Sequence, residues 1–315
     1  MSVWYWGEFD MSIPTLWIMV GLPAAGKSTV AKKIAEENDT VIISTDEIRA
    51  EVCDGDINDQ SKNADVFSIF YKRIQENIEN GINVIADATS VSIKSRRRII
   101  ECVGSMLCHK IAFIIAKDIQ DCINDNLHRE HPAPEETIIR MWRNFQTPFY
   151  EKGFNDIVIF NMRESKYISK QFVDDCFNQM RGFNQDNPHH TMDLYGHSEL
   201  TTYVMSKEVG GPLPEWLHYG SMLHDIGKMF TKKFDDYGIA HYYSHESVGT
   251  YYLLCHWNEF NMFRTEEFMN MLFLVNYHMF PADWKSEKTI RKWLNIFGEK
   301  KFHLLKLFHE CDQAR

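Results

Sequence analysis

The chain has 315 residues, 44% of them hydrophobic and 25% charged, with a formal net charge of −10 at pH 7. That length leaves room for two domains with their own cores, and the acidic balance excludes a surface that coats nucleic acid, because phosphate backbones are bound mainly by Lys and Arg. Any contact with a polynucleotide is therefore expected to be short and local.

No apolar run approaches the roughly 18 residues of a membrane helix, and no signal-peptide pattern is present. Seven scattered cysteines without a C-x-x-C pair read as free thiols of a reducing compartment. The expectation is a cytoplasmic protein with no membrane partner.

In chain order, the first 15 residues, including Trp4 and Trp6, show no period and read as an appended strand or tail. The apolar run 16–20 reads as a strand, and Gly21-Leu22-Pro23-Ala24-Ala25-Gly26-Lys27-Ser28 follows it, fitting G-x-x-x-x-G-K-[S/T]. A helix over 29–37 comes next, beginning at Thr29. A strand feeding a glycine-rich turn and then a helix leaves backbone N–H groups free to surround an anion. These residues, Gly21 to Thr29, are the candidate site for ATP or another NTP. Lys27 would reach the β/γ-phosphates and Ser28 would bind Mg²⁺.

Short β-branched runs at 41–44, 83–86, 110–115 and 157–160 alternate with helical stretches at 61–80, 95–102 and 135–145, the pattern of a parallel sheet with crossover helices. After the second strand comes Thr45-Asp46-Glu47-Ile48-Arg49. Asp46 at a strand's carboxyl end can take a proton from an alcohol attacking a γ-phosphate, or it can simply cap the next helix. Arg49, one turn on, can hold an anionic group of the acceptor. The third strand ends in Asp87-Ala88-Thr89, where Asp87 can serve the water shell of Mg²⁺ or orient the acceptor and Thr89 can donate to a phosphate. Arg96, Arg97 and Arg98 fan around their helix, so a solvated face explains them best. Arg129, in the loop before the helix at 135–145, is the candidate for stabilising charge on a transferring phosphoryl group, with Arg140 a weaker one.

On these residues, Gly21 to Thr29, Asp46 to Arg49, Asp87-Ala88-Thr89 and the Arg129…Ala133-Pro134 lid, the first half resembles the polynucleotide kinase family. The resemblance implies a P-loop kinase fold with Asp46 as general base for a 5′-hydroxyl, Arg49 on the acceptor's 3′-phosphate and Arg129 on ATP. The family usually carries two lid arginines about four residues apart. Asp125 stands at the earlier position here, and a carboxylate cannot take over a phosphate contact.

Composition divides the chain into 1–165, a linker at 166–188 ending in a polar stretch, and 189–315. The last part is helical at 200–208, 214–223, 244–258, 265–277, 286–297 and 301–312, with no strand-like alternation, so an all-α bundle is expected. Of 14 histidines, 11 fall between His189 and His309, which points to a metal-binding second half. His224-Asp225 puts an imidazole and a carboxylate side by side, with Lys228 a turn further. His197, His245, His278 and Asp312 complete a set of candidate ligands. His241 is an alternative to His245, while His189, His190, His218, His256, His303 and His309 read as surface or core residues.

In order and local context, Gly196-His197-Ser198, His224-Asp225-Ile-Gly-Lys228, His245-Glu-Ser-Val-Gly249, Tyr277-His278 and Cys311-Asp312-Gln-Ala-Arg315, this half resembles the HD phosphohydrolase superfamily. The resemblance implies an HD-domain helical bundle in which His197, the doublet and Asp312 hold one metal, and His245 and His278 add a second bridged by Asp225. Imidazole with carboxylate suits Mn, Co, Ni, Fe or Zn. Two such ions about 4 Å apart can activate water and clamp a phosphate ester.

Together the resemblances imply an α/β P-loop kinase domain fused to an all-α HD domain, acting on RNA or DNA ends. Such an enzyme would phosphorylate a 5′-hydroxyl and remove a 2′,3′-cyclic, 2′- or 3′-phosphate, preparing ends for an RNA ligase in the same pathway. A nucleoside kinase joined to a nucleotidase, or a nucleotide-sensing regulatory protein, are the competing readings. The acidic charge favours the nucleoside kinase.

Overall fold

The computed structural model describes residues 13–150, 153–161, 169–188 and 191–313. Trp4, Trp6, His189, His190 and Arg315 lie outside them.

Strand β1 (Thr15–Val20) is buried along its whole length, as a central parallel strand covered on both faces must be. Helix α1 (Lys27–Asn38) returns the chain to β2 (Thr40–Ser44), followed by α2 (Thr45–Val52) and α3 (Asn63–Glu79). In α3 the buried residues Val66, Phe70, Ile74 and Ile78 recur every four positions, a single apolar stripe against the sheet. Then come β3 (Asn83–Asp87), α4 (Ile93–Val103), β4 (His109–Ala116), α5 (Ile119–Asn126), α6 (Glu135–Arg143) and β5 (Asp156–Asn161). Helix α4 starts before the expected 95 because Ser92 caps it, accepting from Ser95 N at 3.1 Å.

The five strands are parallel in the order β2-β3-β1-β4-β5. The chain adds β2 and β3 on one side of β1 and β4 and β5 on the other. Loops diverging at the carboxyl edge of such a sheet leave a crevice for a ligand.

The stretch expected as a linker contains α7 (Ser169–Met180), whose Phe172, Val173, Cys176 and Met180 are buried. Beyond it lie α8 (Leu194–Glu208), α9 (Glu215–Leu223) and α10 (Lys228–Thr231). Helices α11 (His245–Cys255), α12 (Thr265–Tyr277) and α13 (Glu287–Asp312) complete this half. Two small departures from an all-helical half appear. Strands β6 (Lys233–Phe234) and β7 (Ala240–His241) form a short antiparallel hairpin, and the helices expected at 286–297 and 301–312 abut at a kink where Gly298 takes φ 75°. Only glycine adopts that angle without strain.

The two halves share their core. Buried Leu16 and Ile114 of the sheet belong to the same apolar cluster as Leu223, Tyr251 and Leu272. A second cluster joins Ile93 and Phe149 to Phe273, Tyr277 and Phe297. Polar bonds tie the same seam: Thr147 N donates to Asn276 Oδ1 at 2.7 Å, Asn276 Nδ2 to Phe145 O at 3.1 Å, and Tyr277 Oη to Thr147 O at 2.7 Å. All seven cysteines are free thiols. No helix among the described residues is long and apolar enough to cross a membrane.

Candidate functional site

The crevice at the carboxyl edge of the sheet has a volume of about 870 Å³. Its floor is the loop between β1 and α1, with Gly26 at φ 98° and Ala24 at φ 59°. Left-handed residues in such a turn aim successive N–H groups into one concavity, the geometry of an anion nest. Glycine accepts this freely, and Ala24 does so at a cost of roughly 1–2 kcal/mol. Gly21 N donates to Thr89 O at 3.1 Å, which ties the loop to the end of β3.

Lys27 is almost wholly buried, its Nζ donating to Leu22 O at 2.8 Å across the loop. Burial lowers its pKa, opposed by the carboxylates of Asp87 and Asp46. Ser28 Oγ donates to Asp87 Oδ2 at 2.7 Å. Burial raises the Asp87 carboxyl above the usual range, opposed first by Lys27 and then by Ser28. A hydroxyl at the start of the helix beside a strand-end carboxylate is the oxygen pair that would hold a nucleotide's Mg²⁺.

Asp46 lies in the first turn of α2, but the cap of that helix is Ser44, whose Oγ accepts from Asp46 N at 3.2 Å and Glu47 N at 3.4 Å. The Asp46 carboxylate is thus spared for the crevice, which it lines, and sits 3.9 Å from the Arg129 guanidinium. Arg49 lines the crevice nearly buried, with one guanidinium nitrogen on Asp59 O at 2.9 Å. Arg140 is exposed on α6 away from it. Arg97 pairs with Glu101 in solvent at 2.8 Å, as a solvated face predicts. Arg96 does not: it is buried, bonded to Ser90 O and Thr147 O at 2.8 and 3.2 Å, and lowered to about 10 by burial against the opposing pull of Tyr277. Asp125 pairs with Lys117, a residue that carries no motif or spacing to mark it.

In the helical half, Asp193 starts α8 by accepting from Gly196 N at 2.7 Å, so His197 sits in the first turn of a helix longer than the 200–208 expected. His224 and Asp225 lie in the tight turn between α9 and α10. His245 opens α11, His278 ends α12 and Asp312 ends α13. The six side chains converge. His197 Nε2 and His224 Nε2 each stand 3.0 Å from Asp312 Oδ1, and 3.5 and 3.3 Å from Asp225 Oδ2. His245 Nε2 and His278 Nε2 lie 3.0 and 3.6 Å from Asp225 Oδ1. His197, His224 and Asp225 form one group able to hold a metal ion, and Asp225, His245 and His278 a second, with Asp225 common to both. His241 is turned away, bonded to Asp235 at 3.0 Å.

Nδ1 of His224, His245 and His278 lies 2.7 to 2.8 Å from the carbonyls of Ser221, Tyr242 and Val275. A carbonyl only accepts, so each Nδ1 carries a proton and each Nε2 faces inward, free to ligate an ion once the ring is neutral. His224 Nε2 is buried between the Asp225 and Asp312 carboxylates, and the Nε2 atoms of His245 and His278 face each other at 3.2 Å. Ring nitrogens and carboxylates crowded together this way fit a cation. Lys228 Nζ lies 2.6 Å from Asp225 Oδ2 and donates to Gln185 Oε1 at 2.9 Å.

The charges respond accordingly. Burial opposes protonation of His224, but Asp225 and Asp312 outweigh it and raise its pKa from 6.5 to about 10. Burial likewise disfavours ionised Asp225 and Asp312, yet Lys228 and His224 hold the first well below the usual carboxylate range, and His224 and His197 do the same for the second. A raised histidine stabilises the fold fully below its unfolded pKa and loses that stability as pH rises; depressed carboxylates lose theirs as pH falls. The chelator-treated protein should therefore lose melting temperature from pH 6.5 up to about 10, and separately below the ordinary Asp pKa of 3.8. Added Mn²⁺ or Co²⁺ should raise the neutral-pH value, since an ion that binds only the folded state stabilises it. Melting curves with and without chelator across this range check both.

Gly227 and Gly249 explain how close these elements come. A Cβ on Gly227 would lie 1.9 Å from His245 O and 2.6 Å from Gly249 N. Gly227→Ala should therefore push α11 away and lower stability by about 3 kcal/mol or more, read by urea denaturation.

Residues 16–148 match the family described as AAA domain. Among similar solved structures is a chain of the Pnkp1/Rnl/Hen1 RNA repair complex, at 19% identity over 42% of this chain and 44% of that one, with TM-score 0.38. A chain from another structure of the Pnkp1/Rnl/Hen1 complex aligns at 17% identity over 52% of this chain and 53% of that one, with TM-score 0.35. A gluconokinase from Sinorhizobium meliloti 1021 aligns at 16% identity over 48% of this chain and 85% of its own, with TM-score 0.34. The protein thus spans about half the length of the RNA repair chains it matches. No curated protein matches. The family match and the parallel sheet with its flanking helices fit a P-loop kinase domain.

Proposed function

We propose that the protein heals broken nucleic-acid ends: its first half transfers phosphate from ATP to a 5′-hydroxyl, and its second removes a 2′,3′-cyclic, 2′- or 3′-phosphate with the help of two divalent ions. The reading divides the chain at 1–165 and 189–315, with 166–188 between. One observation carries it: a phosphate loop and an accessible carboxylate, Asp46, lining one crevice, coexist in one chain with a six-residue histidine and aspartate cluster.

In the kinase step the 5′-oxygen bonds to the γ-phosphorus as the bond to the β-phosphate oxygen breaks, ADP leaves, and Asp46 accepts the hydroxyl proton. Lys27 and Arg129 offset charge on the transferring group, Ser28 and Asp87 would hold Mg²⁺, and Arg49 would steer an acceptor phosphate. In the second site, His197, His224, Asp225 and Asp312 would hold one ion, and Asp225, His245 and His278 the other. Such a pair supplies a water-derived nucleophile at neutral pH and neutralises the ester. Lys228 fixes the shared carboxylate and presents a positive charge to the phosphate. RNA or DNA ends are the proposed substrates, and an RNA ligase the proposed downstream partner.

The net charge of −10 favours the rival reading, a nucleoside kinase joined to a nucleotidase. One assay separates them: labelled ATP offered with a 5′-hydroxyl, 2′,3′-cyclic-phosphate RNA or with free nucleosides, across a panel of divalent ions. Phosphorylation of nucleosides alone, with no change at either RNA end, would sink the end-healing reading.

A further inference from the structure

We propose that Lys117 is a triphosphate-binding residue of the kinase crevice, and that the helical half fixes its position through Tyr251. The inference rests on the nucleotide site proposed above and goes beyond it. Lys117 directly follows β4, so it stands at the same sheet edge as the phosphate loop, Asp46 and Asp87, and it lines the crevice. Its Nζ lies 3.3 Å from Ala24 O, within the loop itself, and its second partner is the Asp125 carboxylate. Its side chain is 18% exposed, too enclosed for an ordinary solvated surface lysine. An ammonium has three donors; a carbonyl and a carboxylate engage two and leave one for a ligand.

This arrangement gives Asp125 a different meaning. Arg129 follows it by four residues and supplies the lid's cation beside Asp46, 3.9 Å away. Asp125 brings a negative charge to the same rim, and Lys117, reaching in from the sheet, neutralises it and delivers a cation against the loop. Asp125 is therefore a seat for Lys117, and it holds the ammonium in place before a nucleotide arrives.

The other end of the residue is held from across the molecule. Lys117 O accepts from Tyr251 Oη at 2.9 Å. Tyr251 is fully buried and packs edge-on against Phe145, with ring centroids 5.1 Å apart. It lies on α11, the helix that begins with His245. The same helix thus presents an imidazole to the histidine cluster and a hydroxyl to the backbone of the crevice cation.

Calorimetric titration of the full chain with the imido analogue of ATP and Mg²⁺ tests this without reference to any acceptor. Lys117→Met should weaken binding roughly tenfold at unchanged melting temperature of the ligand-free protein, and Lys117→Arg should recover most of it because the charge returns. Tyr251→Phe, which keeps the ring in the core, should weaken binding about threefold. Wild-type affinity in Lys117→Met overturns the phosphate role, and wild-type affinity in Tyr251→Phe overturns the positioning role. Failure of the wild-type protein to bind the analogue is a separate result that removes the proposed nucleotide site, and this inference with it.

Discussion

Asp225→Asn should abolish phosphate removal, by roughly 10³-fold or more, and leave ATP-dependent phosphorylation within about twofold of wild type. Asp225 is the one residue shared by both groups able to hold a metal, so its carboxylate is asked to neutralise two cations at once. The amide keeps the shape but removes that charge. It also strands Lys228, which is buried and pairs with Asp225 at 2.6 Å. An unpaired buried charge costs about 3–5 kcal/mol, so a lower melting temperature should accompany the loss. Bound metal, counted by elemental analysis, distinguishes the causes. Retained hydrolysis with unchanged metal content would show that the cluster is structural.

Asp46→Asn should do the reverse. Removing a general base typically costs 10²- to 10⁴-fold, and Asp46 is more than half exposed, so folding should be unaffected. The amide still faces Arg129 but cannot take the proton of an attacking hydroxyl. Nucleotide affinity should change little, because no phosphate contact is assigned to this carboxylate. Transfer to a 5′-hydroxyl oligonucleotide at the wild-type rate would remove Asp46 from the chemistry. Concurrent loss of both activities in both well-folded variants would argue against two independent sites.

Features carried by contiguous residues were the legible ones. The phosphate loop is a single stretch whose glycines and lysine must lie where they do, and each strand of the sheet begins and ends within about a residue of its apolar run. The six histidine and aspartate positions could be gathered only through a family resemblance, because their proximity depends on how four helices and a turn meet. Whatever depended on distant partners stayed hidden. Lys117 looks like any charged residue after a strand until Asp125 and Ala24 are seen beside it. Gln185 sat in a segment read as polar linker, yet it bonds Lys228 at 2.9 Å. Arg96 was indistinguishable from its two neighbours, since three adjacent arginines give no sign of which one turns inward. The capping role considered for Asp46 falls to Ser44, two positions earlier, because that hydroxyl reaches the free N–H groups at the start of α2.

The seam at Thr147 bears on how such a protein could be taken apart. Asn276 and Tyr277 satisfy the backbone of the segment leaving α6, while Phe149 inserts among Phe273, Tyr277 and Phe297 at ring distances of 5.2 to 5.9 Å. Severing the chain near residue 165 would uncover aromatic surface on both fragments and orphan several main-chain groups. Neither fragment would be a portable module. A chimaera that borrowed either catalytic half would have to bring α6, α11 and α12 as one block, and the intact molecule should melt as one cooperative unit.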